Sequence, residues 1–223
     1  MQKTTTSLKI KKGSTFLFIG DSITDCNRRD TFAPLGNGYP KIFNDILLGI
    51  APEKRIKVIN RGVVGHTTIH LKQKWSDDVI HLKPDYLSIL IGINDLNRTI
   101  TKEEWWQELN PEGTLKNYRF ILNETKKKLN CKIIMLEPFL TVGKIQDSWR
   151  KKIIELLPEY RKVVSHVAKE FNIELIKLHD IFNNIAKYSS PETIVPDTIH
   201  PNETGHRIIA WEIMKIFMGN LNE

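Results

Sequence analysis

Short apolar runs alternate with helix-period stretches along the chain. Five runs read as strands: 15–19 (TFLFI), 56–60 (IKVIN), 86–91 (YLSILI), 132–136 (KIIML) and 173–178 (IELIKL). They are rich in Ile, Leu, Val and Phe and show little apolar–polar alternation. Parallel strands covered on both faces have this pattern. Between the runs, apolar residues recur at helical spacing. Ile42, Phe43, Ile46, Leu47 and Ile50 mark a helix over 39–50. Leu71, Trp75 and Val79 mark one over 67–81, with Thr67 or Thr68 as N-cap. Leu115, Tyr118, Leu122 and Leu129 mark 114–129; Tyr160, Val163, Val164, Val167 and Phe171 mark 159–171. Ile209, Ile213 and Phe217 mark a last helix over 203–218.

Strand alternating with helix predicts an α/β fold: a flavodoxin-like three-layer sandwich, with an about five-stranded parallel sheet and helices on both faces. The chain of 223 residues is read as one domain, 1–223, with an N-terminal extension over 1–13. Two stretches, 97–113 and 138–157, are longer than plain connections and are expected to face the substrate. In such a sheet the ligand sits at the carboxyl ends of the strands.

Composition narrows the class. No run of 18 apolar residues predicts a membrane span, and the start MQKTTTSLKIKKG has no apolar core of a signal peptide. Cys26 and Cys131 are the only cysteines, without metal spacing, and read as free thiols. A cytoplasmic protein is expected. The net charge of +7 raises nucleic acid as a partner. The basic runs, Lys126-Lys127-Lys128 and Arg150-Lys151-Lys152, are short, lie in predicted helices and read as solvated faces. Neither a nucleic-acid nor a membrane partner is expected; a homo-oligomer is left open.

The strand ends carry chemistry. After the first comes Gly20-Asp21-Ser22, after the second Arg61-Gly62-Val63-Val64-Gly65, and after the third Gly92-Ile93-Asn94-Asp95. Ahead of the last helix stands Pro196-Asp197-Thr198-Ile199-His200-Pro201. A serine hydroxyl needs an adjacent base to attack at neutral pH, and histidine is suited to that task. The base needs a carboxylate on its other ring nitrogen. Asp197 and His200 are close enough in sequence for one turn to deliver both. A tetrahedral oxyanion needs donors, and the Ser22 amide, the Gly65 amide and the Asn94 side chain can supply them. Each signal has a plainer reading alone: Ser22 as an N-cap, Gly65 as a turn glycine, Asn94 and Asp95 as a cap, and Asp197–His200 as an exposed loop.

Together these residues resemble the SGNH (GDSL-type) hydrolase superfamily. FIGDSITD, RGVVGHT, GIND and DTIHPN are similar to four of its sequence blocks, and the likeness spans about residues 14 to 215. The resemblance implies Ser22 as nucleophile, Asp197 and His200 as acid and base, and Ser22, Gly65 and Asn94 as the oxyanion hole. GDSITDC, LGNGY, IGINDLNR and MLEPF also resemble the acetylxylan-esterase branch of carbohydrate esterases. That branch implies a short acyl, chiefly acetyl, ester of a xylo-oligosaccharide or other sugar as substrate, with no cofactor and no metal. The chain departs from the branch at Pro196, where tryptophan is usual, and at His66, where a small or polar residue is usual. The GxSxG elbow of ordinary α/β-hydrolases is absent around Ser22.

Asp21, His66, Arg98 and Trp105 are candidates for substrate contact, beside plainer readings of His66 as a helix-start or rim residue and of Arg98 as part of a surface ion pair. Asp21 has a second reading, as a brace accepting backbone N–H groups. Trp105 and Trp106 could offer a face for sugar stacking, although neighbours on a helix cannot both point one way. Cys26 reads as a buried thiol. Three rival functions stand. A lysophospholipase or thioesterase would need an apolar channel for a long acyl chain. A non-catalytic basic binding module would not label at Ser22. A metal site could draw on Asp21, His66, His70, Asn94, Asp95, Asp197 and His200, but lacks an Asp-x-His start.

Overall fold

The five apolar runs become the strands β1 (Thr15–Gly20), β2 (Lys57–Asn60), β3 (Tyr86–Leu90), β4 (Lys132–Leu136) and β5 (Glu174–Ile176) in a computed structural model. The structure describes residues 8–101, 103–141, 143 and 147–218. The strands pair in the order β2-β1-β3-β4-β5, all parallel. The order reverses between β1 and β3, which places the switch point beside the end of β1.

Successive side chains of β1 point to opposite faces. Phe16 and Phe18 pack with Tyr39, Phe43 and Leu47 of α2 (Tyr39–Ile50) and with Ile209 and Ile213 of α9 (Glu203–Lys215). Leu17 and Ile19 pack on the other face with Leu71 and Trp75 of α3 (Thr68–Trp75), Tyr118 and Leu122 of α6 (Pro111–Lys128), and Val164 and Val167 of α7 (Ser148–Glu170). The sheet is thus covered on both sides, as its unbroken apolar runs require. Full burial of each such side chain contributes roughly 1.5–3 kcal/mol.

Several boundaries differ from the sequence reading. The helix expected to begin at 159 begins at Ser148, where Asp147 Oδ1 accepts the Arg150 N–H at 2.8 Å. Pro158 lies inside it. An interior proline removes one helical hydrogen bond, but Ile153 and Leu157 ahead of it are buried in the first core face and hold that part of the helix. Hence much of the stretch 138–157 is helix and core. The stretch 97–113 is also largely helical: the end of α4 (Ile93–Thr101), α5 (Trp106–Leu109) and the start of α6. Asn110 Oδ1 accepts the Gly113 N–H at 2.8 Å and Pro111 takes the first turn, so α6 starts ahead of 114. The helix expected over 67–81 ends as α3 at Trp75 and continues as a π-type turn over Ser76–Ile80. The last run holds both β5 and the start of α8 (Leu178–Ile185), which periodicity had not separated.

Residues 1–7 of the expected extension lie outside the described residues. Its remainder packs on the fold: Leu8 and Ile10 are buried, and Lys9 N–H donates to the Phe217 carbonyl at 2.7 Å.

Candidate active site

Gly20 ends β1 where nothing larger fits. A Cβ there would stand 2.2 Å from the Leu90 carbonyl oxygen and 2.4 Å from Thr24 Oγ1. The missing side chain lets the chain turn at once into the four-residue helix α1 (Ser22–Asp25). The cap of this helix is Asp21, not Ser22: Asp21 Oδ1 accepts the Ile23 N–H at 3.0 Å. Ser22 takes the first helical position, with an amide that has no helical acceptor and donates to no acceptor among the described residues.

Ser22 Oγ lies 3.0 Å from His200 Nε2, and His200 Nδ1 lies 2.6 Å from Asp197 Oδ2. Asp197 Oδ1 also accepts the backbone N–H of Ile199 at 2.9 Å and of His200 at 2.6 Å. Partial burial pulls the Asp197 pKa upward, but the hydrogen bonds from His200 and Ile199, with the His200 charge, outweigh it and hold the carboxyl below its ordinary value. Between the two lies Thr198, buried, with φ of 78°. A β-branched residue in this left-handed region costs of order 1–3 kcal/mol and persists only where its surroundings fix it.

The remaining loops are stitched to this turn. Asp25, 1% exposed, accepts the Val64 N–H at 3.1 Å and the Arg28 N–H at 3.2 Å. Asn60 donates to the carbonyls of Thr24 at 2.6 Å and Leu35 at 2.8 Å, and accepts the Gly62 N–H at 2.8 Å. Gly65 has φ of 74°, with no atom nearer than 3.9 Å to where a Cβ would stand; its backbone conformation, not crowding, calls for glycine. The Gly65 amide donates to no acceptor among the described residues. Asn94 Nδ2 donates to the His66 carbonyl at 3.1 Å, and Arg98 Nη2 to the Gly65 carbonyl at 3.1 Å. Asp95 is buried and accepts hydrogen bonds from the Thr68 N–H, the Thr68 hydroxyl and the Thr114 hydroxyl. Burial raises its pKa to about 6 despite these donors.

A cavity of about 520 Å³ opens beside Ser22 and His200. Its wall combines Phe32, Val64 and Ile23 with Asn27, Asn37, Glu203 and His206. The residues read as substrate contacts fall elsewhere. Asp21 is 1% exposed, and burial raises its carboxyl pKa to about 7; it braces α1 from behind. His66 is buried against His70, with ring centroids 4.9 Å apart, and burial pushes its pKa down to about 4. Arg98 spends its guanidinium on the Gly65 carbonyl and on the Trp105 ring, 5.5 Å from its centroid. Trp105 is not part of the cavity wall. Sequence reading missed Phe32, Asn37, His206, Asp25 and Asn60. Asp25 stands within the GDSITD string, which was the available signal for it, whereas Phe32 lies in a segment with no periodicity to read. Cys26 Sγ lies 3.2 Å from His206 Nε2, and burial pushes its thiol pKa up to about 12. Among the described residues no three His, Cys, Asp or Glu gather as metal ligands, and no helix is long and apolar enough to cross a membrane.

Known proteins are similar to this chain in sequence and fold. An acetylxylan esterase of Geobacillus stearothermophilus is 37% identical over 212 residues, covering 91% of this chain and 93% of that protein. One from Xylanibacter ruminicola is 27% identical over 214 residues, covering 86% of this chain and 40% of that protein. The crystal structure of Axe2, an acetylxylan esterase from Geobacillus stearothermophilus, superposes with a TM-score of 0.82 at 34% identity, covering 96% of this chain and 98% of that one. Catalytic mutants of Axe2 replace a serine, an aspartate or a histidine by alanine, and the aspartate and histidine stand three positions apart. Residues 18–208 match the GDSL-like lipase/acylhydrolase family, a stretch that takes in all four loop groups, and the chain belongs to that family.

Proposed function

We propose that the protein is a serine esterase that removes short acyl groups, chiefly acetyl, from xylo-oligosaccharides or related sugars. The observation that carries this reading is the unbroken line from Asp197 through His200 to Ser22, at 2.6 and 3.0 Å, with His200 and Ser22 on the wall of an open cavity. With its Nδ1–H donated to Asp197, His200 presents the Nε2 lone pair to the serine hydroxyl. Ser22 Oγ attacks the ester carbonyl carbon as its proton passes to Nε2. The carbonyl oxygen takes the negative charge and is met by the Ser22 amide, the Gly65 amide and Asn94 Nδ2. The C–O bond to the sugar breaks, and the Nε2 proton leaves with the alcohol. Water, deprotonated by the same nitrogen, then releases the acid and restores Ser22.

The cavity wall supports a sugar over a long acyl chain. Asn27, Asn37, Asn202 and Glu203 offer hydrogen bonds to hydroxyl groups, and Phe32 offers a flat apolar ring. A lysophospholipase or thioesterase needs an apolar channel, whereas this wall is open and mixes polar with apolar side chains. The spacing of aspartate and histidine in the Axe2 catalytic mutants equals that of Asp197 and His200, which supports their roles. Two free cysteines suit a reducing cytoplasm, where the substrates would be imported fragments.

A fluorophosphonate probe with p-nitrophenyl acetate tests the reading. Stoichiometric labelling of Ser22, and loss of hydrolysis to background in a folded Ser22→Ala variant, are expected. Near-wild-type turnover in that variant would end the proposal. No labelling of the wild type would favour a non-catalytic binding module.

A further inference from the structure

Lys151 and Lys152 are exposed, as a solvated charge run should be. Arg150 is not: its side chain keeps 16% exposure and lies across the turn that carries Asp197 and His200. Arg150 Nη2 donates to the Asp197 carbonyl at 3.0 Å, and Nε donates to Thr198 Oγ1 at 3.0 Å. These acceptors flank the Asp197–Thr198 peptide. On the other side, the Thr198 carbonyl accepts the Thr141 N–H at 3.0 Å. The Asp197 carboxylate closes the turn from within, but it leaves its own carbonyl and the threonine side chain to be fixed from outside.

The arginine is itself anchored. Asp147 caps its backbone N–H and pairs with Nη1, and the guanidinium lies 5.3 Å from the Trp149 ring centroid. Trp149 Nε1 donates to Asn97 Oδ1 at 2.7 Å, one turn beyond Asn94 on α4. The first turn of α7 therefore reaches both the helix that carries Asn94 and the loop that carries His200.

We infer that Arg150 is a positioning residue: its guanidinium fork holds the Asp197–Thr198 peptide in the left-handed turn that aims His200 at Ser22. A threonine with φ of 78° relaxes toward negative φ once released, and that rotation swings His200, two residues on. Lysine has one nitrogen and no planar fork, so it cannot replace both contacts. The inference rests on the serine–histidine chemistry proposed above.

The test compares Arg150→Met and Arg150→Lys, each with Thr198 and with Thr198→Gly, using p-nitrophenyl acetate and fluorophosphonate labelling. Misplacement of a catalytic group by about 1 Å can cost on the order of 100-fold in rate. Arg150→Met is expected to lower kcat by about 30- to 100-fold with KM within about threefold, and to slow labelling in parallel; Arg150→Lys falls between. Glycine adopts φ of 78° without strain, so the loss caused by Arg150→Met is expected to shrink to about tenfold or less in the Thr198→Gly background. Circular dichroism at the assay temperature corrects for unfolded protein, and the lysine pair decides the matter if the methionine variants do not fold. Wild-type kcat in both arginine variants overturns the inference. So does a loss of equal size in the two Thr198 backgrounds. A wild type that neither labels nor hydrolyses ester overturns the esterase reading itself, and this inference with it.

Discussion

The side-chain amide of Asn94 donates to the backbone carbonyl of His66 at 3.1 Å. Four positions along the same helix, Arg98 donates to the carbonyl of Gly65. Residues at this spacing share a helix face, so α4 pins two consecutive carbonyls of the loop after β2. One N–H of the Asn94 amide is spent on this tether; the other has no acceptor among the described residues and can meet a reacting oxygen. The tether and the Trp105 ring account for the Arg98 guanidinium in this structure. It holds the strand-end loop on which the Gly65 amide depends.

Asn94→Ala removes one oxyanion donor and the tether together. Loss of one such donor typically costs ~10²–10³ in kcat, and a fall in that range on p-nitrophenyl acetate is expected, with KM little changed. An unchanged kcat would remove Asn94 from the oxyanion hole.

The cavity should take the alcohol side of the ester. In the proposed reaction His200 returns its proton to the departing alkoxide, so the sugar leaves on the side of His200, in the cavity that Pro201, Asn202 and Phe32 also line. Phe32 is 45% exposed, enough to offer its ring face. Loss of that apolar contact in Phe32→Ala is expected to lower kcat/KM on acetylated xylo-oligosaccharides about tenfold more than on ethyl acetate, whose alcohol is too short to reach the ring. An unchanged ratio between the two esters would put the sugar elsewhere.

Asp25 joins the loop after β1 to the loop after β2, and its burial makes that join expensive to lose. In Asp25→Ala the Arg28 and Val64 N–H groups and the Arg29 guanidinium lose their acceptor. The exposed Arg29 contact counts for little, while the two backbone donors set the cost. A loss of about 3 kcal/mol is expected, read as a fall in Tm of roughly 6–12 °C for a chain of this size. A Tm within about 2 °C of wild type would show that the two loops hold without Asp25.

The strands, and the meeting of Asp197, His200 and Ser22, were legible in the sequence for a simple reason. Buried parallel strands are continuous apolar runs, and the candidate site residues fall in short local strings: GDS and GIND after β1 and β3, and DTIH ahead of α9. What sequence hid was contact between distant segments. Asp21 next to Ser22 reads first as a brace, with substrate contact as the other reading, and its burial favours the brace. Arg150 reads as one of three charges on a helix face, because nothing in RKK says that one of them lies under residue 198. Trp105 is a natural sugar platform by composition, yet it sits beneath Arg98, and an unremarkable Phe32 takes the cavity wall. The early start of α7 was hidden by Pro158, whose local cost is outweighed by core burial that periodicity around 160 does not register.

His206 lines the cavity and is 6% exposed, with its Nδ1 accepting the Tyr39 N–H at 3.3 Å and its Nε2 beside Cys26 Sγ. Burial, with a smaller repulsion from His200, pushes its pKa from 6.5 down to about 4. The unfolded chain therefore binds a proton at this residue before the folded one does. Stability from a neutral His206 is complete above about pH 6.5, falls as pH drops toward about 4, and levels off below that. The same window holds opposing changes at Asp21 and Asp95, whose pKa values are raised by burial to about 7 and about 6 and which therefore stabilise the fold on acidification. Comparison with His206→Gln cancels those shared contributions. In urea titrations the stability difference, wild type minus variant, is expected to decline by on the order of 3 kcal/mol between pH 7 and pH 4. A difference that stays constant across that range would mean that His206 charges without cost in the folded protein, through access of water to the cavity side of its ring.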